Sequence, residues 1–183
     1  EFVAWRRAPN RRDRTRHSQT YKDWEEQQPG DGLIAIIQDM WCGPSQAYAE
    51  DVVEELQRRP VDLVIANDAL FGVMAGCESI GQPFVSFSPN VTFKPLPGIP
   101  PLGPGLPPAR TPEERAMHAE IARASAALFD TGLPALNATR AALRLPALAH
   151  LFEQYDAAAL ELVATSPAFD FPADYLPERV RYV

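Results

Sequence analysis

This sequence lacks most of the features that reveal a function at sight, and each lack excludes something. It has two cysteines, Cys42 and Cys77, too few for a disulfide framework. Cys77 falls inside an apolar stretch and reads as a small core residue, which suits a reducing, cytoplasmic setting. No apolar run approaches the roughly 20 residues needed to span a bilayer, so no membrane span is expected. There is no glycine-rich phosphate loop, no metal-ligand cluster and no Ser-His-Asp arrangement; no metal and no resident cofactor is expected. The three histidines, His17, His118 and His150, do not lie beside a glycine-rich turn, and surface or capping positions are their ordinary reading. Positive charge is scarce as well. A net charge of −7 makes nucleic acid a poor partner. The one basic cluster, Arg6 to Arg16, has no interleaved aromatics and reads as a solvated loop.

Lysine is nearly absent, two residues against fifteen arginines. Together with abundant alanine and proline, that is the composition of a GC-rich bacterial genome. There is no initiator methionine and no signal peptide. Glu1–Trp5 reads as a strand already under way and Val180–Val183 as a strand without a tail, so the chain is expected to be cut at both ends. What remains is ample for one domain: 183 residues, 46% of them hydrophobic, can bury a substantial core.

The most telling stretch runs from Asp62 to Asn90. Leu63–Ala66 is a short apolar run, as in a strand buried on both faces of a parallel sheet. The polar pair Asn67-Asp68 interrupts it, an apolar stretch from Ala69 to Ile80 is long enough for a helix, and Gly81 ends that helix. A second apolar run, Phe84–Phe87, completes a strand–helix–strand unit. Ligands of such units collect outside the carboxyl ends of the strands, where Asn67, Asp68, Ser88 and Asn90 would lie.

Along the rest of the chain, 9–31 is polar and without period, a loop, and Gly32–Ile37 could be a strand or the start of a helix. A helix is expected over Pro44–Arg59, with Tyr48, Val52, Val53 and Leu56 as its apolar stripe. Pro89–Pro108 holds eight prolines and three glycines and must be irregular. Thr111-Pro-Glu-Glu114 is a capping box that opens a helix with the stripe Met117, Ile121, Ala124 and Leu128, ending near Gly132. Further helices are expected over Pro134–Leu143 and Ala147–Tyr155, and a strand over Leu160–Ala164. Strands alternating with helices, without hairpin signals, argue for an α/β fold with a doubly wound, mostly parallel sheet.

The order of these features resembles a known family. Strand, acidic or amide residue, Leu70-Phe-Gly72, helix, Gly81-x-Pro83, strand and Ser88-Pro-Asn90, followed by the proline-rich Leu96–Leu106 and by Phe169–Val183, is similar to the acceptor-binding half of GT-B glycosyltransferases. The likeness is greatest to the bacterial group that glycosylates macrolides, enediynes and other natural products. The resemblance implies that residues 1–183 are one incomplete N-terminal, acceptor-binding domain, Rossmann-like, lacking its first strand and helix and the nucleotide-sugar-binding second domain. It implies transfer of a sugar, with inversion, from a nucleotide sugar to a hydroxyl of a small apolar acceptor. The general base in that family is a histidine after the first strand, a segment this sequence does not contain.

The family's base-orienting aspartate falls on Asn67, with Asp68 one place later. Either Asp68 has taken over or the orienting carboxylate is weakened. Asp68 could equally cap the following helix, and the two roles are compatible. Trp41, Phe71, Phe93, Ser88 and Asn90 are the candidate acceptor-binding residues, with Phe129 as a further aromatic and Phe71 also fitting the core. A non-catalytic ligand-binding or partner-activating relative is the competing reading.

Overall fold

The computed structural model describes residues 1–11, 13, 15, 22, 31–171 and 173–183. Most of the loop expected over 9–31, with His17 and Arg12, Arg14 and Arg16 of the basic cluster, lies outside them. Four parallel strands, β1 (Val64–Asn67), β2 (Phe84–Ser88), β3 (Leu160–Val163) and β4 (Val180–Tyr182), form one sheet in sequence order. Helices α1 (Asp31–Ala35), α2 (Ser45–Arg58), α3 (Phe71–Ser79), α4 (Pro112–Phe129) and α5 (Leu133–Ala142) accompany it. The chain is an α/β protein with a Rossmann-like arrangement, consistent with half of a GT-B fold.

The sheet's two faces differ. In register, Ala66, Ser86, Glu161 and Val180 form one row and all are buried. The other face carries Ile65, Val85 and Leu160 in a row; Ile65 is 65% exposed and Leu160 38%. The expectation that Leu63–Ala66 is buried on both faces is therefore corrected. Among the described residues β1 is an edge strand, and only its Ala66 side is covered. The strand expected at Glu1–Trp5 does not form either. Those residues pair with no strand; Trp5 packs edge-on against Tyr48 of α2. The following backbone N–H groups of Arg6, Arg7 and Ala8 all donate to Asp51 Oδ2, at 2.8, 2.9 and 3.1 Å. Burial alone would push this carboxyl up, but those donors and the Arg7 guanidinium outweigh it and hold it below its ordinary value.

α3 ends as its glycine requires. Gly81 has φ +66°, Gln82 N–H donates to Cys77 O at 2.9 Å and Gly81 N–H to Glu78 O at 3.1 Å, the paired bonds of a Schellman motif. Residues 32–42, which could have begun as a strand, are helical: α1 runs directly into a π-helix over Ile36–Cys42, where Gly43 N–H reaches back to Gln38 O at 2.7 Å. The short helix expected over Ala147–Tyr155 is a 3₁₀ helix displaced to Leu151–Ala157.

α2 and α3 cross in backbone contact. A Cβ on Gly72 would lie 2.2 Å from Ser45 O and 2.6 Å from Ser45 Cα, and one on Gly76 2.8 Å from Val52 Cγ1. Backbone cannot yield as a flexible side-chain end can. Gly72→Ala is therefore expected to destabilise the fold by about 1–3 kcal/mol, the overpacking scale, measured as a lower urea midpoint with unchanged slope. An unchanged midpoint would show that the crossing can open at no cost.

Candidate functional site

The carboxyl ends of β2 and β3 lead into irregular segments, 89–111 after β2 and 164–171 with 173–179 after β3. The first is the proline-rich stretch, free of helix and strand as its composition demands. The capping box closes it: Glu114 N–H donates to Thr111 Oγ1 at 3.2 Å, and Thr111 N–H to Glu114 Oε2 at 3.1 Å. The two segments are tied together, with Asp174 N–H donating to Pro97 O at 2.8 Å.

Between them and α4 lies a cavity of about 600 Å³, within the roughly 300–1,000 Å³ of small-molecule sites. Phe93, Leu96, Ile99 and Leu102 line it from the first segment, Ala122, Ser125, Ala126 and Phe129 from α4, Phe152 from the 3₁₀ helix, and Phe169, Asp170 and Phe171 from the second. The α4 stripe differs from the expected one. Met117 is 45% exposed and Ala124 is exposed, and only Phe129 of this helix is buried. The face that matters is Ala122, Ser125, Ala126 and Phe129, one position out of step, because α4 faces the cavity rather than the core.

Behind this wall the aromatics continue inward. Phe129 and Phe152 have ring centroids 4.8 Å apart, Phe152 stacks on Tyr155 at 5.9 Å, and Tyr155 meets Phe71 at 5.7 Å. The Tyr155 hydroxyl donates to the backbone carbonyl of Asp68 at 3.0 Å. This series connects the cavity to the end of β1.

At that end the two polar residues do different work. Asn67 Oδ1 accepts the Ala69 N–H at 3.0 Å, shaping the turn out of the strand. Asp68 lies on the buried face and is 2% exposed. Burial raises its carboxyl above the ordinary value, opposed by hydrogen bonds from the Ser88 hydroxyl and the Ala69 N–H. Its Oδ2 has no hydrogen-bond partner among the described residues. Asp68 does not cap α3: the N-cap is Leu70, without a side-chain cap. An unpartnered buried carboxylate oxygen costs stability unless something pairs with it, so packing alone gives no reason for its presence.

The candidate residues are thus only partly assembled. Phe93 lines the cavity, and Trp41, half-buried on the π-helix, packs against Phe93 and Phe129 at 5.3 and 6.2 Å. Ser88 is buried beside Asp68. Phe71 is 0% exposed within the core, away from the cavity lining because α3 turns that face onto Tyr155. Asn90 is exposed and outside the lining. Sequence reasoning missed Phe152, Ser125 and Asp170; Phe169 and Phe171 stood in the family-like Phe-Asp-Phe segment without a role. His118 is half-buried on α4. His150 pairs with Asp130 at 2.8 Å on the surface, and that carboxylate pushes the imidazole up.

Among the described residues no helix is long and apolar enough to cross a membrane. No protein-family profile matches the chain. It is similar to 4'-demethylrebeccamycin synthase of Lentzea aerocolonigenes, a glycosyltransferase, with 24% identity over 165 residues. The match takes in 83% of this chain and 37% of the relative, so the chain spans little more than a third of the length of that relative. The likeness supports a glycosyltransferase relationship.

Proposed function

We propose that this chain is the acceptor-binding half of an inverting glycosyltransferase that moves a sugar from a nucleotide donor to a hydroxyl of a small apolar natural product. The observation that carries the reading is the unpartnered Oδ2 of buried Asp68 at the carboxyl edge of the sheet, joined to an apolar cavity by Tyr155 and Phe152. Inverting transfer needs a base to take the acceptor proton and a carboxylate to orient and stabilise that base once charged. Asp68 supplies the carboxylate. The base and the nucleotide-sugar site come from parts of a longer protein that this chain does not include. The cavity supplies the acceptor site, with Phe93 in its wall and Trp41 behind it; Asn67 and Ser88 set the turn and the carboxylate, and Phe71 supports them from the core. No resident cofactor is required.

Full-length protein incubated with a nucleotide sugar should release nucleoside diphosphate only when an acceptor hydroxyl is present, and the glycoside formed should have the inverted anomeric configuration. The 183-residue chain alone should bind acceptor and release none. Turnover by the isolated chain above a no-protein control, or retention of configuration by the full-length protein, would sink the proposal.

A further inference from the structure

The rings around the cavity differ in how they are engaged. Phe93, Phe129 and Phe152 already pack on one another or on Trp41 and Tyr155. Phe169 and Phe171 line the same cavity, yet neither has a ring partner among the described residues. They are 79% and 43% exposed. Leaving two large rings this wet at the mouth of an apolar cavity is unfavourable by itself, and their segment is held there by specific bonds. Phe169 N–H donates to Ser166 O at 2.8 Å, and the Tyr182 hydroxyl to Asp170 Oδ2 at 3.0 Å.

The cations at the cavity are already paired. Lys94 Nζ lies 2.8 Å from Asp156 and 3.1 Å from Glu161, and Arg179 pairs with the same two acids. The second oxygen of Asp170 accepts the Phe171 N–H at 2.8 Å. That leaves the hydroxyls of Thr92 and Ser125 as the neutral polar groups in the lining.

We infer that the cavity takes a flat, fused-ring aromatic molecule that carries no negative charge and bears a hydroxyl, and that Phe169 and Phe171 determine this specificity by packing their rings on it. The inference rests on reading the cavity as the acceptor site. Ring pairs gain from offset-stacked or edge-to-face contact at about 4.5–7 Å, which a saturated ring system of the same size cannot offer. An anionic ligand would surrender hydration without finding a free cation, and would meet the Asp170 carboxylate.

Hydroxypyrene, pyrene sulfonate and androstanol separate these terms: flat and neutral, flat and anionic, saturated and neutral. Fluorescence titration of the 183-residue chain and of the full-length protein, with androstanol measured by competition, should show hydroxypyrene bound at least about tenfold more tightly than the other two. The Phe169→Ala/Phe171→Ala double variant should lose about tenfold for hydroxypyrene and at most about twofold for androstanol; circular dichroism should confirm that it folds. Equal affinities for the three probes, absence of hydroxypyrene binding, or hydroxypyrene affinity unchanged in the folded double variant overturns the inference. Failure of the glycosyltransferase reading looks different: hydroxypyrene binds as expected, and full-length protein transfers no sugar to any acceptor.

Discussion

Asp68→Asn should lower turnover of the full-length protein by about 10²-fold or more while leaving the 183-residue chain at least as stable at neutral pH. The first effect is the scale on which general-base catalysis depends. The second follows from the surroundings of the carboxylate, which is buried with one oxygen unpartnered among the described residues. An amide of the same shape fills the same space without burying charge. The sign of the pH dependence follows from linkage. Because burial raises the folded-state carboxyl above its unfolded value, the native state binds the proton more tightly. Asp68 therefore costs stability at neutral pH, and the cost is relieved as pH falls through its raised folded value. In Asp68→Asn this increment should disappear, visible as a urea midpoint that changes less as pH falls from neutrality. Asn67→Asp is the matched control: an aspartate oxygen accepts the Ala69 N–H equally well, so turnover should stay intact. If Asp68→Asn keeps its turnover and loses stability, the carboxylate is structural and the proposed role is withdrawn.

A comparably large effect, on folding, is expected at Arg140. Its side chain is 2% exposed. The guanidinium meets both oxygens of Glu78, at 2.6 and 3.0 Å, and donates to Gln154 Oε1 at 2.7 Å and Pro146 O at 2.8 Å. Gln154, fully buried, returns its amide to Glu78 Oε2 at 2.8 Å. Three elements, α5, α3 and the 3₁₀ helix behind the cavity, are thereby pinned at one point. Arg140→Ala strands a carboxylate and a buried amide together, a loss of about 3–5 kcal/mol, a large part of a typical domain's 5–15 kcal/mol. Arg140→Lys should not rescue it, since an ammonium cannot reproduce the two-pronged contact. Burial pushes the Glu78 carboxyl up, but Arg140 and Gln154 hold it below its ordinary value. Its contribution is therefore present above the unfolded carboxylate value and fades as pH falls through the folded one. Equilibrium urea unfolding at neutral and acid pH checks both statements, and a loss under about 1 kcal/mol for Arg140→Ala would mean that solvent replaces the network.

What could be read in advance was local. The capping box at Thr111, the glycine at the end of α3 and the proline-dense stretch each act within a few residues, and all three behave as their chemistry requires. Strand positions followed from short apolar runs, but exposure did not. The Leu63–Ala66 pattern cannot say that β1 would be an edge, because coverage depends on what else packs there. Arg140 sits in a helix with an ordinary-looking polar neighbour, Asn137, and nothing local marks it as buried; its partners are 62 and 14 residues away. The cavity was half visible. Phe93 was placed by its loop, whereas Phe152 and Ser125 enter only through the register of α4 and the displaced 3₁₀ helix. The unpartnered oxygen of Asp68 is a property of three-dimensional surroundings alone.

The uneven sheet also bears on how the chain behaves in a tube. Among the described residues β1 presents an unpaired backbone edge beside exposed Val61, Leu63 and Ile65, a ready template for a strand from another molecule. Chains that each carry a net −7 repel one another. At about 0.1 M salt that repulsion is screened beyond roughly 10 Å, while apolar contact is not weakened. Salt, commonly added to keep a protein in solution, should here promote clumping, and dilute buffer well above the isoelectric point of about 5.0 is the safer medium.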